Sequence, residues 1–174
     1  MKLAPWQQAV ADHPARFKII TAGRRSGKTY LSIRQLCWYA RIPNRDVFYI
    51  TSSYRAAKMI VWKLLKNRLD DLRWIKKINE SELSITLKNN STISLKGSEN
   101  IHAPRGIALH YAVIDEAAFC DPDLFPEVIR PALADNRGDA MFISTPAGKS
   151  NYFYDLYMAA QETDNWATWQ LTTL

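Results

Sequence analysis

The sequence lacks long apolar runs and contains few cysteines. No run of about eighteen apolar residues, the length that spans a bilayer, occurs among the 174 residues. The two cysteines, Cys37 and Cys120, match neither a disulfide framework nor the spacing of a metal site. The segment from Met1 to Gln8 has no apolar core of the kind found in secretion signals. We therefore predict a protein of a reducing cytoplasm with no membrane segment.

The net charge of +6 is unevenly distributed along the chain. Residues 1–77 contain 17 Lys and Arg against 4 Asp and Glu, whereas residues 78–174 contain 6 against 13. A strongly basic half favours a polyanionic partner, such as the phosphates of a nucleotide or a nucleic acid. A solvated helix surface would give the same count, so charge alone leaves both interpretations open.

Strand and helix patterns alternate along most of the chain. Apolar runs that predict strands lie at 17–21, 46–51, 110–115, 140–144 and 166–171. Helical patterns lie at about 54–69, 122–134 and 151–162, and also between a glycine-containing loop and Ala40. Two further strands, 83–87 and 92–95, flank Asn89-Asn90 as in a β-hairpin. This order predicts an α/β domain with a mostly parallel central sheet flanked by helices and an inserted β-hairpin.

The helix predicted after residue 54 has an apolar stripe and a basic side. The stripe, which we expect to face the core, consists of Ala57, Ile60, Val61, Leu64, Leu65 and Leu69. The basic side carries Arg55, Lys58, Lys66 and Arg73, and Lys76 and Lys77 follow it.

A glycine-containing loop between the first strand and its helix has the pattern of a phosphate-binding loop. The segment Ala22-Gly-Arg-Arg-Ser-Gly-Lys-Thr29 fits G-x-x-x-x-G-K-[ST], except that Ala22 takes the first position and Gly23 follows it. Backbone N–H groups of such a loop and the helix N-terminus point at phosphate oxygens. Gly27 permits close approach, Lys28 reaches the β- and γ-phosphates, and the Thr29 hydroxyl can bind Mg²⁺. An ordinary turn before a helix is the alternative.

An acidic pair ends the strand at 110–115. Carboxyl ends of parallel strands converge on one crevice, so Asp115 is expected to face the Mg²⁺ that Thr29 holds. Glu116 is then placed to polarise a water for attack on the γ-phosphate. A solvated acidic pair at a strand end is the alternative, which the preceding phosphate loop disfavours.

Three other positions have two interpretations each. Ser144 and Thr145 end a strand, where they would either sense the γ-phosphate or simply precede a turn at Pro146. Arg105 is followed by a glycine in a loop, as suits either an arginine finger or a surface turn. Trp6 and Gln7 would either stack on and read adenine or belong to a helix that caps the sheet edge.

Taken together, these residues resemble the ATPase domain of the large terminase subunit, the DNA-packaging motor of tailed bacteriophages. The similarity runs nearly end to end, through the segments 23–29, 51–58, 97–98, 105–106, 113–118, 129–135 and 142–148. The resemblance implies the ASCE type of P-loop NTPase fold. Ala22 departs from the general phosphate-loop pattern, although such deviant loops are similar to those of terminases.

The resemblance also implies a role for each matching residue. Nucleotide would be bound by Gln7, which reads adenine, and by Gly23, Arg24, Arg25, Ser26, Gly27, Lys28 and Thr29. Thr29 and Asp115 would hold the metal, Glu116 would be the catalytic glutamate, and Ser144 and Thr145 would couple hydrolysis to movement. Arg105 matches a proposed arginine finger that acts on a neighbouring subunit's ATP, and Arg24 matches a loop arginine suggested as a sensor or cis finger. The two arginines compete for one role.

The activity implied by the resemblance is Mg²⁺-dependent ATP hydrolysis that powers movement of double-stranded viral DNA into a procapsid. The implied partners are DNA, the portal protein and the small terminase subunit, with a homo-oligomeric ring on the portal and a possible monomer in isolation. The implied location is the cytoplasm of the infected bacterium, transiently at the portal vertex of the procapsid. The basic side after residue 54 is a candidate surface for DNA, portal or a neighbouring subunit.

Family members also carry a C-terminal nuclease domain. We expect residues 1–174 to be a single ATPase domain without it, and so without nuclease activity. Two alternatives to a packaging motor remain: a helicase-type DNA translocase, which shares the phosphate loop and acidic pair, and a nucleotide-binding assembly module that does not hydrolyse ATP.

Overall fold

Eight strands form one mixed sheet in the computed structural model, which describes residues 2–101 and 107–171. The strands are β1 (Phe17–Ala22), β2 (Asp46–Thr51), β3 (Ile75–Asn79), β4 (Ser84–Leu87), β5 (Thr92–Gly97), β6 (Tyr111–Asp115), β7 (Asp139–Ser144) and β8 (Trp166–Leu171). The α-helices are α1 (Pro5–Asp12), α2 (Lys28–Ala40), α3 (Tyr54–Ala57), α4 (Lys63–Asp71), α5 (Arg130–Ala134) and α6 (Tyr152–Ala160).

The strand order is β3-β4-β5-β2-β6-β7-β1-β8. All pairings from β5 to β8 are parallel, and only the pairs β3–β4 and β4–β5 are antiparallel. The predicted mostly parallel α/β sheet is therefore confirmed. The predicted hairpin is also present, as β4 and β5, and it extends the main sheet because β5 pairs with β2.

Strand β3 was not predicted. Its sequence, Ile-Lys-Lys-Ile-Asn, has too few apolar residues to be recognised as a buried strand, and none of its side chains is fully buried. It lies at the edge of the sheet, where Lys76 and Lys77 are exposed. Charged side chains on an edge strand discourage pairing with other chains, which accounts for the polar sequence.

Helices cover both faces of the sheet. One core combines residues of α1, α2 and α4 with Tyr49 and Val113 of the central strands. The second core combines α5, α6 and the residues before α5 with the alternate side chains of the same strands. Burial on both faces explains why the central strands are continuous apolar runs.

The helix predicted from residue 54 onwards contains a π-helical turn. Ser53 caps its start by accepting a hydrogen bond from the Ala56 N–H at 3.1 Å. The turn spans Lys58–Trp62 between α3 and α4, and it changes which side chains face the sheet. Ile60 and Leu64 are 45% and 49% exposed, so the prediction that both face the core was wrong. The other four residues of the predicted stripe are buried, and so is Trp62.

The helix predicted at 122–134 is also only partly α-helical. Leu124–Ile129 form a π-helical segment, and α5 follows it. Pro126 and Pro131 lack the N–H groups that a regular α-helix requires, which accounts for the irregular start. Within 2–101 and 107–171, no helix has the length and apolar character needed to cross a membrane.

The π-helical turn predicts losses of stability of different size for two adjacent leucines of α4. Leu65→Ala is expected to lower the free energy of unfolding by about 2–5 kcal/mol, because Leu65 is completely buried. Leu64→Ala is expected to lower it by less than about 1 kcal/mol, because half of that side chain is exposed. Urea unfolding of both variants measures the difference, and equal losses would contradict the observed helix geometry.

Candidate nucleotide site

The carboxyl ends of β1, β6 and β7 meet at one cavity of about 750 Å³. The predicted site residues in its wall are Arg24, Arg25, Ser26, Gly27, Lys28, Thr29, Asp115, Glu116 and Thr145. The three strands are neighbours in the sheet, which explains how segments more than a hundred residues apart come together. The loop, the acidic pair and Thr145 therefore form one site.

The loop between β1 and α2 closes around the ammonium group of Lys28. This group donates hydrogen bonds to the Ala22 carbonyl oxygen at 2.9 Å and to the Gly23 carbonyl oxygen at 2.6 Å. Burial lowers the pKa of Lys28, and the nearby carboxylates of Glu116 and Asp115 oppose that shift. The Lys28 side chain thus places a cationic group against the loop backbone and in the cavity wall.

Gly27 has a backbone conformation that suits only glycine. Its φ of +90° lies in the left-handed region, and a Cβ at this position would lie 2.8 Å from Gln7 Nε2. Within the described residues, the Ser26 hydroxyl beside it is buried without a hydrogen-bond partner. An unpaired buried hydroxyl in a cationic loop fits a site where an anion supplies the missing acceptor.

Gln7 lies on α1 and contacts the loop directly. Its side-chain amide donates to the Gly27 carbonyl oxygen at 3.0 Å, and its Oε1 accepts from the Ala4 N–H at 2.7 Å. Trp6 and Gln7 both belong to α1. The contacts join α1 to the loop, whereas the reading of adenine by Gln7 stays a prediction.

Asp115 is the last residue of β6 and is 5% exposed. Its Oδ2 accepts a hydrogen bond from the Tyr49 hydroxyl at 2.5 Å, and its Oδ1 accepts one from the Glu116 N–H at 2.8 Å. Burial raises the pKa of Asp115, and these two hydrogen bonds and Lys28 oppose the shift. The free-energy cost of burying the Asp115 carboxylate is therefore reduced by the two hydrogen bonds that it accepts.

Glu116 follows in the left-handed conformation, with φ of +49°. Such a conformation in a residue other than glycine stores strain and is common at functional sites. Burial and the neighbouring Asp115 raise the pKa of Glu116, whereas Lys28, Thr145 and Arg24 lower it. Glu116 is therefore a carboxylate in the cavity wall that is influenced by two cationic side chains, Lys28 and Arg24.

Ser144 and Thr145 contact the segment that carries the acidic pair. The Thr145 hydroxyl donates to Glu116 Oε2 at 3.4 Å, and Ser144 Oγ accepts from the Ala118 N–H at 3.3 Å. These two contacts join the end of β7 to the segment that follows β6, where a coupling role is predicted. The coupling itself stays a prediction.

The residues at the cavity fit a magnesium site that is shared with a phosphate. Within 2–101 and 107–171, no group of three or more His, Cys, Asp or Glu side chains is arranged to hold a metal. Mg²⁺ in nucleotide sites uses one or two protein oxygens together with phosphates and waters. The Thr29 hydroxyl and the Asp115 carboxylate provide that set of protein donors.

One of the two candidate arginine fingers, Arg24, lies in the described part of the chain. Arg24 and Arg25 are exposed in the loop and lie in the cavity wall. Arg105 lies outside the described residues.

The opposite wall of the cavity was not predicted. It consists largely of side chains from α2 and the helix after Tyr54, namely Tyr30, Ile33, Ile60, Leu64, Asn67, Arg68 and Asp71. The π-helical turn brings Ile60 and Leu64 there, and no sequence pattern identified that turn. Tyr49 was also missed, although a hydroxyl in an otherwise apolar strand was a usable signal.

Comparison with known proteins finds large terminase subunits of bacteriophages. A large terminase subunit of Escherichia phage T5 is 28% identical over 152 residues, which are 86% of this chain and 34% of the T5 protein. The large terminase subunit of Thermus phage G20c is 24% identical over 172 residues, 87% of this chain and 35% of that protein. The chain thus spans about a third of the length of these relatives.

Solved structures share the fold. The large terminase ATPase domain of Thermus phage P74-26 superimposes with a TM-score of 0.83 at 20% identity, over 97% of this chain and 80% of that domain. The large terminase of a thermophilic bacteriophage, solved in complex with ADP, has a TM-score of 0.80 at 20% identity. That match covers 98% of this chain and 46% of the ADP-bound chain.

The family described as terminase large subunit, T4-like virus type, N-terminal, matches residues 19–174. The match includes the phosphate loop, the acidic pair and Thr145. On this evidence the chain belongs to the family of large terminase subunits, within its N-terminal domain.

Proposed function

We propose that this chain hydrolyses ATP to drive double-stranded viral DNA into a procapsid. The observation that carries the proposal is the single cavity lined by Lys28, Thr29, Asp115, Glu116 and Thr145. Each of these side chains has a chemical task in phosphoryl transfer to water, and the tasks require them to be close together.

Lys28 and the loop N–H groups bind the phosphates of ATP. The start of α2 adds the positive end of its dipole, and Gly27 lets the backbone approach the phosphate oxygens. Thr29 and Asp115 would hold Mg²⁺, which neutralises charge on the β- and γ-phosphates when it is bound. When the phosphates bind, one of their oxygens provides an acceptor for the unpaired Ser26 hydroxyl.

Glu116 orients a water molecule for attack on the γ-phosphorus. The water oxygen forms the new bond to phosphorus, the bond to the β–γ bridging oxygen breaks, and ADP leaves with that electron pair. Glu116 accepts the proton of the water, so it must be ionised beforehand. Burial and Asp115 raise the pKa of Glu116, and Lys28 and Arg24 oppose this shift and so favour the ionised form.

Arg24 is the described arginine best placed to stabilise charge on the transferring phosphoryl group. It lies in the cavity wall, and its charge is among the influences that lower the pKa of Glu116. Arg105 from a neighbouring subunit is the competing candidate.

At the level of the whole protein, we propose that residues 1–174 are one motor domain and that a nuclease domain belongs to the intact chain. The proposed partners are double-stranded DNA, portal protein, the small terminase subunit and further copies of the chain in a ring. The basic side after Tyr54 is a candidate contact for them, although Lys66 is already paired with Glu80 at 2.8 Å. The proposed location is the host cytoplasm.

Glu116→Gln tests the proposed base. We expect ATP turnover to fall by about 10²-fold or more, because the variant cannot accept a proton, with ATP binding retained. Steady-state phosphate release and equilibrium ATP binding measure the two effects. Glu127→Gln, at an exposed glutamate of the segment before α5, is the matched control and should hydrolyse ATP normally. Unchanged turnover in Glu116→Gln would refute the assignment, and a parent chain that binds ATP without hydrolysing it would favour an assembly module.

Arg24→Ala and Arg25→Ala form a matched pair in the loop. We expect Arg24→Ala to lower turnover by about 10³-fold, the low end for an arginine that stabilises a transferring phosphoryl group. Arg25→Ala should have a much smaller effect, because the proposal assigns the charge of the transferring phosphoryl group to Arg24. Single-turnover hydrolysis at saturating ATP measures both. Equal effects of the two variants would contradict a specific role for Arg24.

Asp115→Asn is expected to stabilise the ligand-free protein while it impairs metal-dependent hydrolysis. The substitution removes a buried charge beside Glu116; an asparagine Oδ1 can still accept from the Glu116 N–H, and its Nδ2 can donate to the Tyr49 hydroxyl oxygen. We expect a gain of about 1 kcal/mol in the free energy of unfolding, as at other sites that sacrifice stability for function. Urea unfolding without nucleotide or metal measures it. A loss of stability would show that the charge is structural.

A further inference from the structure

The Asp115 carboxylate is held by a tyrosine from the neighbouring strand. Tyr49 of β2 is completely buried, and its hydroxyl donates to Asp115 Oδ2 at 2.5 Å. The other oxygen, Oδ1, accepts the Glu116 N–H at 2.8 Å. Each carboxylate oxygen therefore has one donor from the protein.

The register of the sheet makes this contact possible. Tyr49 pairs with Val113 across the parallel strands β2 and β6, and Asp115 lies two residues further along β6. Side chains two residues apart on a strand point to the same face, about 6.6 Å apart along it. A tyrosine side chain that leans along the strand spans this distance and ends in a donor.

Two donors on two different oxygens fix the rotation of the carboxylate. Each oxygen keeps a second lone pair, so the group can still accept from a further ligand. Donors of this kind orient metal-binding side chains, and their removal typically weakens metal affinity or activity by about 10–100-fold. Tyr49 itself is outside the cavity wall, so it reaches the site only through Asp115.

We propose that Tyr49 is a positioning residue that holds the Asp115 carboxylate in the orientation in which it accepts Mg²⁺. The inference rests on the proposed function, because it presupposes a metal at Thr29 and Asp115. Phenylalanine at this position would keep the packing of the ring and remove only the donor.

The chain provides a matched control at the amino ends of the parallel strands, opposite the ends that line the cavity. Tyr39 of α2 donates to Asp139 Oδ2, also at 2.5 Å. Asp139 is the first residue of β7 and so lies at the amino ends of the parallel strands, far from the cavity. Tyr39→Phe therefore removes the same kind of hydrogen bond without touching the nucleotide site.

The test compares the parent chain, Tyr49→Phe and Tyr39→Phe in two measurements. Mn²⁺ binding is titrated by electron paramagnetic resonance in the presence of a non-hydrolysable ATP analogue. ATP hydrolysis is measured against Mg²⁺ concentration at saturating ATP. We expect Tyr49→Phe to weaken Mn²⁺ binding by about 10-fold and to raise the half-maximal Mg²⁺ concentration by a similar factor. Affinity for ATP without metal should not change, and Tyr39→Phe should match the parent in both titrations.

The possible failures are distinguishable. Metal titrations of Tyr49→Phe that coincide with those of a metal-dependent parent would overturn the positioning role and leave the proposed function intact. Equal weakening in Tyr39→Phe, or loss of folding confined to Tyr49→Phe, would make the bond structural and overturn the inference as well. A parent that binds no Mn²⁺ with the ATP analogue would overturn the metal site and the inference together.

Discussion

Parallel pairing of β1, β7 and β6 is the constraint on which the site depends. Three adjacent strands that run in the same direction end at the same edge of the sheet, so the residues after each strand converge there. The phosphate loop, Thr145 and the acidic pair come from these three ends. A change of strand order or direction would separate them, even if every site residue were retained.

The same edge concentrates charge in a largely buried environment. Lys28 has a lowered pKa, and both carboxyl groups of the acidic pair have raised ones, because burial penalises the charged form of each. In the ligand-free protein, the opposite charges and the hydrogen bonds from Tyr49 and Thr145 limit this penalty. In the proposed function, a polyphosphate and its cation would provide charges opposite to those of Lys28 and of the acidic pair, and so would reduce this penalty further.

Much of the fold and of the candidate site could be predicted from the sequence. Continuous apolar runs identified the central strands, because both faces of a parallel sheet are covered, and the phosphate loop and Asp115-Glu116 then located the site. Strand β3 could not be recognised, since an edge strand needs few apolar residues. The positions of Ile60 and Leu64 were wrong, because a π-helical turn shifts the helical face and follows no simple sequence pattern. The contact of Tyr49 with Asp115 depends on strand register, which a single sequence does not specify.

The central claim is that one cavity binds a triphosphate and its metal between the loop and the acidic pair. A crystal structure of the chain with Mn²⁺ and a non-hydrolysable ATP analogue tests it most directly. The account predicts the terminal phosphates against Lys28 and an anomalous Mn²⁺ peak within bonding distance of the Thr29 hydroxyl and of Asp115, directly or through a bound water. Phosphates bound away from Lys28, or a Mn²⁺ peak remote from both Thr29 and Asp115, would contradict it.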